Sequence, residues 1–256
     1  MSRQNVVFPP IIVFIVISFV VEIVVRFGWV PSFLVPMPSQ VLSVFWKDGQ
    51  ELFRAISATA IAAICGFLIS LVVGVSAALT IQRFPFFDRA FYPYAVFFQT
   101  VPIIAIAPLL VIWIGFGINT VIASSSIVCV FPIISSSLDG MRNINLSFLE
   151  LFQLYGASQR DTLFKLRVPS AIFSILSGLK IASGLAVIGA IVGEFVTGGG
   201  IGGLVDIART QQRVDKVFAA IILGSLLGLV MVKSVDGIAG WFSNRGFGER
   251  DIRGQL

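Results

Sequence analysis

Long apolar runs alternate with shorter polar segments along the chain. About 20 consecutive apolar residues cross the hydrocarbon core of a bilayer, and several runs reach that length. None of them shows the alternation of apolar and polar positions that marks the strands of a membrane barrel. We therefore predict an all-α membrane protein with about six transmembrane helices, near residues 6–26, 56–81, 91–114, 118–138, 171–197 and 216–241.

The low charge content also predicts a membrane location. Charged residues make up 12% of the 256 residues and hydrophobic residues 57%. Soluble domains carry about 25% charge, so lipid must cover part of this surface. Histidine, the commonest metal ligand and general base, is absent, and we expect no metal or cofactor in this chain. Cys65 and Cys129 lie inside apolar runs and are interpreted as buried apolar side chains.

The distribution of Lys and Arg predicts the orientation. These residues are more frequent in the segments that share a side with the N-terminus, and positively charged loops favour the cytoplasm. Both termini are therefore expected to be cytoplasmic. On the outer side, Ser39 is expected to cap a short interfacial helix. The tryptophans fall at predicted span ends, where amphipathic rings settle: Trp29, Trp46, Trp113 and Trp241.

The predicted cytoplasmic connection, residues 139–170, is called the loop segment here. Ser147 and Glu150 have the spacing of a capping box at the start of a helix. Gly156 follows the apolar residues of that helix and is placed to end it as a C′ glycine. The pattern predicts a short helix followed by a sharp corner at Gly156.

A second helix signal follows this corner. Ser158 and Asp161 have the spacing of another capping box, and the helix is predicted to run to Val168 and to end at Pro169. Two interpretations of the resulting pair remain open from the residues alone. The pair either lies on the lipid headgroups as amphipathic helices or offers a docking surface to a soluble partner.

The stretch ELFQLYGASQRDTLFKLRVP, residues 150–169, resembles the EAA loop of ABC-importer permease subunits. Glu150, Gly156 and Pro169 match that pattern in identity and spacing. Leu151 and Phe152 stand where the pattern has two alanines. The resemblance selects the docking interpretation, and it implies that the loop contacts a cytoplasmic ATPase through Glu150, Phe152, Tyr155, Gly156, Ala157, Ser158, Arg160, Leu166 and Pro169.

Further stretches resemble the nitrate/sulfonate/taurine-type branch of these permeases, which also serves pyrimidine and flavin precursors. They are VPMPSQVL (35–42), QTVPIIAIAPLLVIWIGFG (99–117), FPIISSSLDG (131–140) and GAIVGEFV (189–196). The resemblance implies the type I ABC importer permease fold in a single transmembrane domain, residues 1–256. Its core would cover about 56–241, with the EAA-loop helix pair between spans 4 and 5.

The resemblance also implies a set of partners. Two cytoplasmic ATP-binding cassette subunits would bind ATP-Mg, and a second permease copy would complete a homodimer. A periplasmic or lipid-anchored solute-binding protein would deliver a small anion or a pyrimidine or flavin precursor. The chain is accordingly expected in the bacterial inner membrane, in contact with lipid, without a nucleic-acid partner and without enzymatic activity of its own.

The predicted span 91–114 combines prolines with polar residues. Pro102 removes a helix hydrogen bond close to Gln99 and Thr100, and such polar groups must face protein or a water-filled cavity. The helix is either kinked and packed, or broken and lining a translocation pathway.

Two ionisable residues lie within the predicted span 171–197. Lys180 either snorkels to the inner surface or faces an anion in the pathway. Glu194 is either part of a gate in the pathway or a structural partner for Arg or backbone groups.

Other motifs are weaker. No GxxxxGK[ST] sequence is present for phosphate binding, and the glycines at 198, 200 and 203 are interpreted as a flexible outer loop. Ser177 and Lys180 have the SxxK spacing of a serine–lysine hydrolase, which is the remaining enzyme hypothesis. A stand-alone channel or secondary transporter is the remaining transport hypothesis.

Overall fold

The computed structural model describes residues 4–84, 86, 87, 90, 97 and 100–242, with the side chains of residues 4–11 excluded. Nearly all of these residues are helical. The helix over Gln159–Thr197 is continuous and contains a π-helical stretch, Thr162–Arg167. The helices are α1 Gln4–Arg26, α2 Pro38–Lys47, α3 Gly49–Arg83, α4 Ile103–Ile114, α5 Ile118–Arg142, α6 Leu146–Leu154, α7 Gln159–Thr197, α8 Gly200–Thr210 and α9 Val214–Phe242.

Four of these helices, α3, α5, α7 and α9, are long and apolar enough to cross a membrane. They confirm the predicted spans that begin near residues 56, 118, 171 and 216. Helix α1 covers the first predicted span. The prediction of one span over 91–114 is wrong in its described part, because Val101 and Pro102 are not helical and α4 has only 12 residues.

Helix α5 lies at the centre and packs against α3 and α7. Small residues allow close approach between the helices, because a Cβ added to Gly189 would lie 2.8 Å from the Cα of Ser125. The Ser125 hydroxyl donates to the carbonyl of Ala186 at 2.9 Å. Close packing with interhelical hydrogen bonds is how helices associate in lipid, where no hydrophobic driving force acts between them.

Both cysteines are free thiols. Cys129 is buried, as predicted, and its thiol donates to the carbonyl of Ala182 at 3.2 Å. Cys65 is half-buried, so the prediction that it is buried is wrong.

The N-cap of helix α2 lies two residues before the predicted one. The prediction of Ser39 as the N-cap is wrong, because Met37 is the N-cap and Pro38 occupies the first helical position. Proline lacks the N–H that a cap would have to satisfy, so the helix can start there. The backbone N–H and hydroxyl of Ser39 instead donate to the carboxylate of Glu22, at 3.1 and 2.8 Å.

The glycines after α7 form a tight corner, so the prediction of a flexible loop is wrong. Gly198, Gly199 and Gly200 have φ values of 78°, 82° and 55°, which only glycine adopts at little cost. The backbone reverses through them and continues at once as α8. Gly202 and Gly203 then lie in the first turn of α8, against the end of α7.

Candidate functional site

The loop segment begins with α6. The prediction of Ser147 as its cap is wrong, because the N-cap is Asn145, whose side-chain oxygen accepts from the Ser147 N–H at 3.0 Å. Asparagine is as good an N-cap as serine, and Asn145 already satisfies the donor that the capping box would have used. The helix therefore starts at Leu146, two residues early.

Gly156 forms the predicted corner. Its φ is +67°, and it follows Tyr155, the C-cap of α6. The Gly156 N–H donates to the carbonyl of Gln153, and the Ala157 N–H to that of Phe152, both at 2.9 Å. These bonds satisfy carbonyls that the end of α6 would otherwise leave free, which confirms the C′ glycine.

Ser158 caps the start of α7, as predicted. Its hydroxyl oxygen accepts from the Asp161 N–H at 3.1 Å, and its hydroxyl donates to the Asp161 carboxylate at 2.5 Å. The prediction that Pro169 ends this helix is wrong, because α7 continues through it to Thr197. The π-helical stretch directly before Pro169 changes the hydrogen-bond register there, so the ring does not break the helix.

The residues predicted to contact an ATPase differ in how far they are buried. Most are exposed: Glu150, Tyr155, Gly156, Ser158, Arg160 and Pro169. Phe152 and Ala157 are half-buried. Leu166 is buried, and its neighbour Leu163 packs against α3 and α5. The exposed group is accompanied by exposed apolar side chains of α6: Leu146, Leu151 and Leu154.

Two arginines tie the loop segment to neighbouring spans. Arg83, in the last turn of α3, donates to the side-chain oxygen of Gln159 at 2.6 Å. Arg167 donates to the carbonyl of Met141 in α5 at 3.2 Å. Sequence reasoning missed both contacts, since no local pattern relates positions so far apart.

Two of the predicted pathway residues, Thr100 and Pro102, lie at the break before α4. Thr100 is exposed, and its hydroxyl donates to the carbonyl of Phe97 at 2.7 Å. Pro102 is exposed and is the N-cap of α4, accepting from the Ala105 N–H at 2.9 Å. Gln99 lies outside the described residues. The described part of this segment is thus broken, not merely kinked.

Lys180 forms an ion pair that the sequence did not suggest. Its ammonium lies 2.8 Å from the carboxylate of Asp236 in α9. The hydroxyl of Ser177 donates to the carbonyl of Phe173 at 2.9 Å, so each member of the SxxK pair already has another partner. A groove of about 220 Å³ adjoins them, lined by Phe173, Leu176, Ser177, Lys180, Val235, Asp236 and Ala239.

Glu194 is buried at the far end of α7 from the loop segment. One carboxylate oxygen accepts from the Thr59 hydroxyl and from the Gly202 N–H, both at 2.9 Å. The Thr59 oxygen in turn accepts from the Ile201 N–H at 2.9 Å. This set of groups is called the Glu194 node. Of the two alternatives open from the sequence, a partner for backbone groups is the contact the structure contains.

Residues 70–246 match the family described as binding-protein-dependent transport system inner membrane component. The chain belongs to this family. It is 31% identical to a probable ABC transporter permease protein of Haemophilus influenzae, over 89% of this chain and 93% of the relative. It is also 35% identical to the formylaminopyrimidine transport permease protein ThiX of Halalkalibacterium halodurans, over 90% and 92% of the two chains. The chain is thus a permease subunit of an ABC importer.

A solved structure shows the same fold. The permease in an inward-facing structure of the MetNI methionine ABC transporter superposes with a TM-score of 0.61 at 18% identity, covering 77% of this chain and 96% of that chain. This confirms the predicted all-α type I importer permease fold.

Proposed function

We propose that this permease forms the translocation pathway for a small solute delivered by an external binding protein, and that a separate cytoplasmic ATPase drives it through the loop segment. The observation that carries the proposal is the exposed apolar face of α6. A water-facing helix would not keep Leu154 and Tyr155 85% and 83% exposed unless something covers them. Helix-in-groove docking is the recognition mode that this shape fits.

The continuity of α7 supports the same proposal. The helix leads from the Ser158 cap, beside the docking face, to Thr197 without interruption. Leu163 packs this start against α3 and α5. If the ATPase displaces α6, the Gly156 corner would therefore transmit the movement to α7 and to the helices packed against it.

The pathway is proposed to run between two copies of the chain. Thr100, which carries a hydroxyl, and Pro102, which lies at the break before α4, are exposed positions in an otherwise apolar region. We place them on the pathway together with Gln99 and the exposed part of Lys180. Glu194 is buried, and we propose that it affects the pathway without lining it.

The substrate is proposed to be a small pyrimidine-type solute. The support is the 35% identity over 90% of the chain to the formylaminopyrimidine permease. Identity to a putative aliphatic sulfonates permease of Escherichia coli is 29% over 78% of the chain, which makes a sulfonate the second candidate.

A reconstituted complex tests the proposal. The chain is placed in liposomes with its ATPase and binding protein, and ATP hydrolysis and solute uptake are measured together. The chain alone should hydrolyse no ATP. Tyr155→Cys should cross-link to the ATPase, whereas Arg209→Cys at an exposed position on α8 should not. Uptake driven by an ion gradient without an ATPase would instead support a secondary transporter, and ungated flux would support a channel.

A further inference from the structure

The Glu194 node is costly for a membrane helix to contain. A carboxylate 2% exposed loses its hydration, and such a group persists only when donors compensate it. Here the donors are the Thr59 hydroxyl and the Gly202 N–H. The Gly202 N–H lies in the first turn of α8, where amides lack an acceptor within the helix and where the helix dipole favours a negative charge.

Glycines at two positions make room for this arrangement. A Cβ at Gly200 would overlap the Glu194 carboxylate, and a Cβ at Gly202 would overlap the carbonyl of Ile191. The corner of positive-φ glycines is therefore shaped around the carboxylate. A structure that only needed to fill space here would have used an apolar side chain, with no buried charge to satisfy.

The node joins three helices that lead to different parts of the molecule. Thr59 belongs to α3, Glu194 to α7, and Ile201 and Gly202 to α8, which itself packs against α9. At their other ends, α3 and α7 are joined again by the hydrogen bond between Arg83 and Gln159. Helix α5 packs against both α3 and α7. These helices thus form a frame that is closed at both ends.

We infer that Glu194 is a positioning residue for transport: with Thr59 it fastens the α8 corner to the α3–α7 frame, so that movement of the loop segment reaches the far end of the pathway. This inference rests on the proposed function. Glu194 touches no substrate in this account. It acts by making α8 move together with the helix that carries the loop segment.

Substitutions at Thr59 separate this role from general packing. Thr59→Val keeps the shape but removes the donor to Glu194 and the acceptor for Ile201, whereas Thr59→Ser keeps both. Glu194→Gln removes the charge at the same size. Ser70→Ala is the matched control, because Ser70 also lies buried in α3 and its hydroxyl donates to the carbonyl of Ser126 in α5 at 2.8 Å, away from the node.

The experiment uses the complete complex in liposomes. Thr59→Val and Glu194→Gln should assemble and hydrolyse ATP, but solute moved per ATP should fall by about tenfold, a size typical of coupling between sites. Hydrogen exchange at the Ile201 and Gly202 amides should rise in Thr59→Val. Thr59→Ser and Ser70→Ala should keep the wild-type ratio and the wild-type exchange.

Two outcomes would overturn the inference. One is a wild-type ratio of transport to hydrolysis in both Thr59→Val and Glu194→Gln. The other is loss of assembly in both, which would make the node a folding element alone. Failure of the proposed function looks different, because the wild-type complex itself would then show no ATP-dependent uptake.

Discussion

Helix α7 has an open end and a closed end. At the open end, the neighbouring Leu154 and Tyr155 are almost fully exposed, and a Cβ added to Gly156 would meet nothing within 4 Å. At the closed end, Glu194 is buried, and Gly200 and Gly202 beside it leave no room for a Cβ. Glycine is thus required for backbone conformation at both ends, and for space at the closed end alone. The open end has the exposed surface that a docking partner needs, and the closed end has the tight packing that would make α7 and α8 move together.

Gly202→Leu, at the closed end, should lower the stability of the protein more than any other substitution proposed below. The new side chain would have to displace the backbone of α7 near Ile191, and overpacking of this kind costs about 1–3 kcal/mol or more. We expect a clear fall in the unfolding temperature measured in detergent. Gly237→Leu is the control, since a Cβ at this helical glycine meets nothing within 4 Å. Equal melting of the two variants would contradict the closed-end description.

Gly156→Val should have a smaller effect on stability and a larger one on coupling. The left-handed conformation costs a non-glycine residue about 1–2 kcal/mol, and no clash adds to it. Membrane insertion and dimerisation should survive while ATP-driven transport falls. Gly156→Asn should keep most of the transport, because asparagine adopts this conformation more readily. Wild-type transport by the valine variant would show that the corner is not needed for coupling.

Arg213→Met should lower the stability of the protein only slightly. Arg213, just before α9, pairs with Asp48 at 2.8 Å, and partly exposed pairs contribute about 0.2–1 kcal/mol. This hydrogen bond from Arg213 holds the pKa of Asp48 below its ordinary value. The contribution is therefore present above about pH 3.9, the ordinary Asp value, and is lost as the pH falls through the lowered pKa. Thermal unfolding from pH 3 to 7 should show the variant and the wild type converging at acid pH.

Leu154→Ser should have the smallest effect on the isolated chain. Exposed side chains away from special features change stability by about 0.5 kcal/mol or less, and Leu154 makes up part of the open end. Its unfolding temperature should match that of the wild type, while co-purification with the ATPase weakens. Unchanged co-purification would mean that the exposed face of α6 is not where the ATPase binds.

Local signals in the sequence predicted much of the open end. The Gly156 corner and the Ser158 cap depend on residues within one helical turn, and both are confirmed. The prediction that the helix ends at Pro169 is wrong because a π-helical stretch before the proline changes the hydrogen-bond register. Such a stretch has no reliable local signature in the sequence. The predictions of Ser39 and Ser147 as N-caps are wrong because the N-caps, Met37 and Asn145, lie two residues earlier.

The sequence by itself determined the membrane class, four of the spans and the corner at Gly156, because hydrophobic length and glycine conformation are properties of neighbouring residues. Only the tertiary structure decided the partners of the buried polar groups. Glu194 and Thr59 are separated by 135 positions, and Lys180 and Asp236 lie on different helices. Which side chains meet across helices depends on packing angles and close approach at small residues, and no pattern along a single helix contains that information.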